Sequence, residues 1–195
     1  VMDNAEVAAL LREGGPIEPI SVVLHLASAL LALVLAAAPE GGRKRRLLWL
    51  IAVCAVLMAA RELDLHKALT THSIFNAKEY LRPDIAPAEK LAAGGFALAV
   101  VAVLAVAVAA ARRDIARLFA QRGAAHGGLT GLMLFIPVLM LMDALPRLLR
   151  KAGAAPSEDA VRYMLSFEEL GETVLPVLVM LLILQAVRAA PFSQQ

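Results

Sequence analysis

The stretch Ala60-Arg61-Glu62-Leu63-Asp64-Leu65-His66-Lys67 closes an apolar run that begins at Leu47, so five ionisable side chains follow directly on a segment that reads as membrane-buried. A charge inside a bilayer costs about 3 kcal/mol even on lenient insertion scales, and by default it marks a functional site. The rest of the chain can be read as supplying partners for this stretch.

The chain has 195 residues, 60% of them hydrophobic, with a mean hydropathy of +0.72. Ordinary soluble domains hold about 45–50% apolar residues. A bilayer core of about 30 Å takes about 20 apolar residues per helix, and several such runs are present. The expected fold is all-α: one polytopic bundle of five transmembrane helices in a single membrane domain. A net charge of +2 gives no basis for a nucleic-acid partner. The single Cys54 excludes an internal disulfide and a CxxC site, and it reads as a small buried thiol.

Residues 1–18 are polar and acidic, with Asp3, Glu6, Glu13 and Glu18, and suit a short interfacial helix. They lack the basic start and cleavage pattern of a signal peptide. The spans are expected at 19–38, 47–69, 91–111, 129–149 and 163–187. An outer connection, 70–89, carries Phe75, Tyr80, Pro83 and Pro87 and suits the headgroup level. Small residues in the third span, including Gly94 and Gly95, favour close helix approach. They also favour association with a second copy or another membrane protein.

Basic residues in short loops mark the cytoplasmic side. Arg43-Lys44-Arg45-Arg46 and the group Arg112, Arg113, Arg117 and Arg122 therefore place the N-terminus outside and the C-terminus inside. In a bacterial inner membrane, outside is the periplasm. Polar residues of four spans then coincide in depth. His25, Glu62 with His66, Asp143, and Glu168 to Glu172 all fall roughly 5–13 Å below the outer edge, at 1.5 Å per residue. The inner halves of the spans hold almost none.

Glu62 and His66 are four apart and would share a helix face, as would Glu168 and Glu172. Carboxylates and a histidine on facing helices are the materials of a bundle metal site. The candidate ligands for a divalent ion (zinc, iron or manganese) are His25, Glu62, His66, Asp143, Glu168 and Glu172. Arg61, Asp64, Arg147 and Glu169 would support them from behind. Acids outnumber bases here, and a buried unpaired carboxylate must take a proton, a metal ion or a cationic partner. Taken pairwise, Arg61 with an acid and Asp143 with Arg147 also read as plain structural ion pairs. Pro176 leaves the main-chain oxygen of Glu172 without its helix donor, and Pro137 does the same for Met133.

Arg61-Glu62-x-Asp64-x-His66-Lys67, Ser73-Ile74-Phe75 and Glu168-Glu169-x-x-Glu172 together resemble a group of uncharacterised small bacterial five-helix membrane proteins. The resemblance spans most of the chain and carries no function with it. Buried His, Asp and Ser near one face are also similar to the alkaline ceramidase and progestin receptor type of metal-dependent membrane hydrolases. Those have seven helices and a histidine pattern on the last helix that is absent here.

Three functions follow as expectations. The first is an outward-facing cation site, for protons or a divalent metal, used in binding, sensing or ion transport. Transport would need a polar route through the inner half, for which Ser28 and Thr130 are the few candidates. The second is a metal-dependent hydrolase acting on a lipid-type substrate at the outer leaflet. The third is an accessory subunit whose polar cluster is an ion-pair lock.

Overall fold

A computed structural model describes residues 15, 17–38, 44–65, 80–120 and 123–188. Its five long helices are α1 (Ile17–Ala37), α2 (Arg45–Glu62), α3 (Pro87–Ala120), α4 (Ala124–Lys151) and α5 (Glu158–Arg188). No strand occurs among the described residues. Four helices, α1, α3, α4 and α5, are long and apolar enough to cross a membrane. The fifth, α2, has 18 residues and carries charge at both ends: Arg45 and Arg46 at one, Arg61 and Glu62 at the other.

Local chemistry sets the helix ends. α3 starts on Pro87, where a missing N–H costs nothing. Ser157 caps α5 by accepting from the Ala160 N–H at 3.2 Å, with Glu158 and Asp159 in the first turn to match the helix dipole. α4 closes on Gly153 at φ 81°, which turns the chain so that Ala154 N–H reaches Leu149 O at 3.0 Å and Gly153 N–H reaches Arg150 O at 3.2 Å. α2 ends at Glu62 instead of running to 69. Leu63 N–H returns to Ala59 O at 3.0 Å and Asp64 takes φ 49°, a left-handed turn that Asp tolerates better than most residues. The N-terminal segment up to residue 14, residues 66–79 (His66, His72 and most of the outer connection) and the tail from 189 lie outside the described residues.

α1 is the centre of the packing, lying against α2 on one side and α5 on the other. α3 rests on α2 and α4 on α5, while α3 and α4 touch only lightly. The buried apolar core includes Ala32, Ala36, Leu47, Leu48, Ile51, Leu118, Leu132, Leu182 and Ile183. These residues come from the late part of α1 and α5, the start of α2 and α4, and the end of α3. That end of the bundle holds the apolar core, with polar atoms of Asp114, His126, Thr130 and Gln185 buried beside it, and a second polar group lies away from it.

The expected role of Gly94 and Gly95 is not what the packing uses. A Cβ at Gly95 would meet nothing within 4 Å, and at Gly94 only Tyr80 at 3.6 Å. The close approach is instead between α4 and α5. There a Cβ on Gly171 would lie 2.1 Å from Cδ2 of Leu139, and one on Gly128 would lie 2.5 Å from Oε1 of Gln185. Cys54 is exposed on the outside of α2, not buried as its apolar setting implied.

Candidate functional site

Four helices bring polar groups to the end opposite the apolar core. α1 contributes one stripe, Ser21, His25 and Ser28, whose spacing of four and three keeps them on one face. All three are buried. The Ser21 hydroxyl donates to the main-chain oxygen of Glu172 at 3.4 Å, and the Ser28 hydroxyl to that of Pro176 at 3.1 Å. Ser28 also lies 2.9 Å from the oxygen of Leu24 on its own helix. Pro176 therefore frees a carbonyl on α5, as the sequence indicates, and α1 supplies the donor. His25 sits between the two serines, 2% exposed, and its Nε2 has no hydrogen-bond partner.

α2 delivers Arg61 and Glu62 to the same level. The Arg61 guanidinium pairs directly with the Glu172 carboxylate and lies 3.4 Å from Oε1 of Glu62. Glu168 is also within its electrostatic reach. One guanidinium thus stands among three glutamates from two helices. The Glu62 side chain is only 7% exposed, and Glu172, Glu169 and Glu18 all bear on it electrostatically.

α4 adds Asp143, whose carboxylate accepts from Arg147 at 2.5 Å, one turn on. The contact of Gly171 with Leu139 fixes the antiparallel register of α4 and α5. That register carries Asp143, one turn beyond Leu139, to the level of Glu168, and the two charges interact.

The depth of this cluster follows from the shortness of α2. Arg46, at the start of α2, lies within electrostatic reach of Asp114, near the end of α3, so the two helices run antiparallel. Arg61 is then roughly 22 Å further along, about level with Ala99. No charge occurs on α3 between Lys90 and Arg112.

Two expectations need correction. The expected span 47–69 is cut short: α2 stops at Glu62 and turns at Asp64, and His66, the expected partner of Glu62, lies outside the described residues. Among the described residues no three His, Cys, Asp or Glu side chains form a group that could hold a metal ion. Asp143 is turned to Arg147, Glu172 to Arg61, and His25 is buried in the α1–α5 seam. Of the supporting set, Arg61 is central, Arg147 holds Asp143, and Asp64 forms the turn. Glu169 bears on Glu62 and Glu168 through its charge.

The other end holds groups that spacing alone did not reveal. Lys44 Nζ donates to Val187 O at 3.3 Å and Arg45 Nε to Ala36 O at 2.9 Å, so two residues of the basic run cap the C-terminal ends of α5 and α1. Burial among these ends holds the Lys44 ammonium below its usual range. Asp114 is buried at the α2–α3 interface beside Arg117, and Nδ1 of His126, Oγ1 of Thr130 and Oε1 of Gln185 are buried without partners. A basic run signals topology whatever its individual bonds, which is why the caps could not be read in advance.

The fold and the site define a helical bundle of membrane-protein type with a polar cluster at one end. Compared with known proteins, the chain matches no family model, no curated protein and no solved structure.

Proposed function

We propose that the chain is a multi-pass protein of a bacterial inner membrane, with its N-terminus outside and its C-terminus inside. Its outer-half cluster of Glu62, Glu168, Glu172, Asp143 and His25 takes up a cation. The observation that carries this reading is the Arg61 guanidinium, which among the described residues stands with three glutamates, one of them almost wholly buried. Carboxylates that outnumber their bases in a poorly hydrated setting stay charged only at a cost, so they hold a further cation. A proton fits better than a metal ion, because the described ligands face different partners. Binding or sensing fits better than transport, because Leu48, Leu182 and Ile183 fill the core of the other half, whose buried polar atoms on His126, Thr130 and Gln185 make no hydrogen bonds to one another.

The direct pair of Arg61 with Glu172 favours a second reading, an ion-pair lock that fixes the register of α2 on α5. The Glu62→Gln variant separates the two. A cation site predicts a folded variant whose pH-dependent change in melting temperature or flux is lost. A lock predicts lower stability at every pH. Elemental analysis of wild type beside Glu62→Gln adds the metal arm: a stoichiometric metal lost in the variant would replace the proton by that ion.

A further inference from the structure

We propose that the turn joining α4 to α5 binds a phosphate–ammonium zwitterion, the ethanolamine headgroup of a membrane phospholipid, with its phosphate on Arg150 and its ammonium on Glu158. A cavity of about 350 Å³ lies there, lined by Arg150, Ala155, Pro156, Glu158 and Val161. The local sequence builds it. Gly153, at φ 81°, turns the chain back at the end of α4, where Ala154 N–H reaches Leu149 O at 3.0 Å. Ala155 and Pro156 then join Arg150 in the wall, and the first turn of α5 adds Glu158 and Val161. The volume falls at the small end of ligand cavities, which run from about 300 Å³ upward.

Charge decides the class of ligand. Arg150 uses its Nε on Pro146 O at 3.2 Å, which leaves both Nη groups of the fork. Among the described residues neither Arg150 nor Glu158 forms an ion pair. The two opposite charges thus line one cavity without closing on each other, so more than about 4 Å separates them. A simple anion would meet the Glu158 carboxylate, and a simple cation would meet the Arg150 guanidinium. A ligand that carries both signs a few bonds apart suits both. An Arg fork matches a phosphate in two-point geometry, and a carboxylate accepts from a primary ammonium. The position selects a lipid over a free zwitterion. Both α4 and α5 are long and apolar enough to cross a membrane, and the cavity lies at the end where they join, the level of the headgroups. Tyr163 is 77% exposed near that end, as suits a headgroup boundary. Deeper along the same two helices, Leu148, Leu165 and Phe167 are exposed and offer a surface for acyl chains. The site needs only that these two helices span a bilayer; it is independent of the acid cluster and of which side is outside.

The test is native mass spectrometry of the full chain released from nanodiscs of equal phosphatidylethanolamine and phosphatidylglycerol. The wild type should retain phosphatidylethanolamine in preference. Retention should fall about tenfold in Arg150→Gln and in Glu158→Gln, the loss of one charge-assisted bond. Glu158→Gln should also turn the preference toward phosphatidylglycerol, because Arg150 then faces a phosphate with no acid beside it. Lys151→Gln is the control: Lys151 is exposed and lies outside the cavity lining, and the variant should match the wild type. In case Arg150→Gln fails to fold, Ala155→Phe fills the cavity from an exposed position with both charges kept, and should lose phosphatidylethanolamine alike. Equal retention of the two lipids on the wild type, equal loss in Lys151→Gln, or displacement by millimolar free phosphoethanolamine would each overturn the proposal.

Discussion

The main-chain oxygen of Glu172 accepts a hydrogen bond from the Ser21 hydroxyl, and it is open to that bond because Pro176 has no N–H to give it. A helix break on α5 and a serine on α1 thus complete each other where water is scarce. Unsatisfied carbonyls are costly in such a setting.

This pairing predicts a coupled pair of substitutions. Ser21→Ala should lower stability by about 1 kcal/mol, since it leaves a buried acceptor unmade and the bond it removes is long. In a Pro176→Ala background the helix restores its own donor, and the cost of Ser21→Ala should shrink to near zero. Thermal unfolding in detergent of the four proteins of the cycle measures the difference, and equal costs in both backgrounds would show that the serine acts elsewhere.

Removing Arg61 should be worse than removing its partner. Arg61→Gln leaves Glu62, Glu168 and Glu172 facing one another without the guanidinium, and should lower stability by about 2 kcal/mol, between exposed and buried pairs, since Arg61 is half exposed. Arg61→Gln/Glu172→Gln should recover part of that loss. Repulsion among carboxylates also gives a sign. The single variant should be most unstable at high pH, where the acids are charged, and should approach the wild type as pH falls and they take protons. A pH series of melting temperatures checks this.

Gly171 carries the close contact of α4 on α5. Gly171→Ala would push a methyl group into Leu139, which is itself buried, and should lower stability by about 1–3 kcal/mol. Leu139→Ala in the same chain makes room and should restore much of the loss. Because this contact sets the level of Asp143 against Glu168, the single variant should also disturb the acid cluster. Gly95→Ala, with open space around it, should be neutral.

The parts of this architecture legible in the sequence are those written in composition and spacing. The apolar runs give four of the helices, three of them to within a turn or two and α3 with its end nine residues short, and Pro176 announces the free carbonyl of Glu172. The expected pairing of Arg61 with an acid left the partner open, and the structure supplies Glu172. What failed depended on a single backbone angle or on neighbours far along the chain. α2 ends at Glu62 with Asp64 in a left-handed turn, and nothing in the pattern after Leu47 marks that turn. Gly171 looks like any helix glycine until Leu139 is brought against it. Gly94 and Gly95 look like contact residues, yet they carry no close helix contact within the chain. Asp114 is a helix residue because α3 runs on to Ala120, past its expected end at 111.

His25 offers the sharpest contrast between stability and function. It is among the most buried side chains, yet its Nε2 bonds to nothing. A buried ring nitrogen without a partner costs roughly 1–3 kcal/mol. Leucine fills a similar volume and removes that cost, so His25→Leu should fold and melt at the same temperature as the wild type or higher. If His25 belongs to the cation site, the same variant should lose the pH-dependent response that Glu62→Gln loses. Stability kept and response lost would assign the imidazole to function, since residues held at the expense of stability are characteristic of working sites. A large fall in melting temperature would instead make His25 a packing residue of the α1–α5 seam, and the site would reduce to the carboxylates and Arg61.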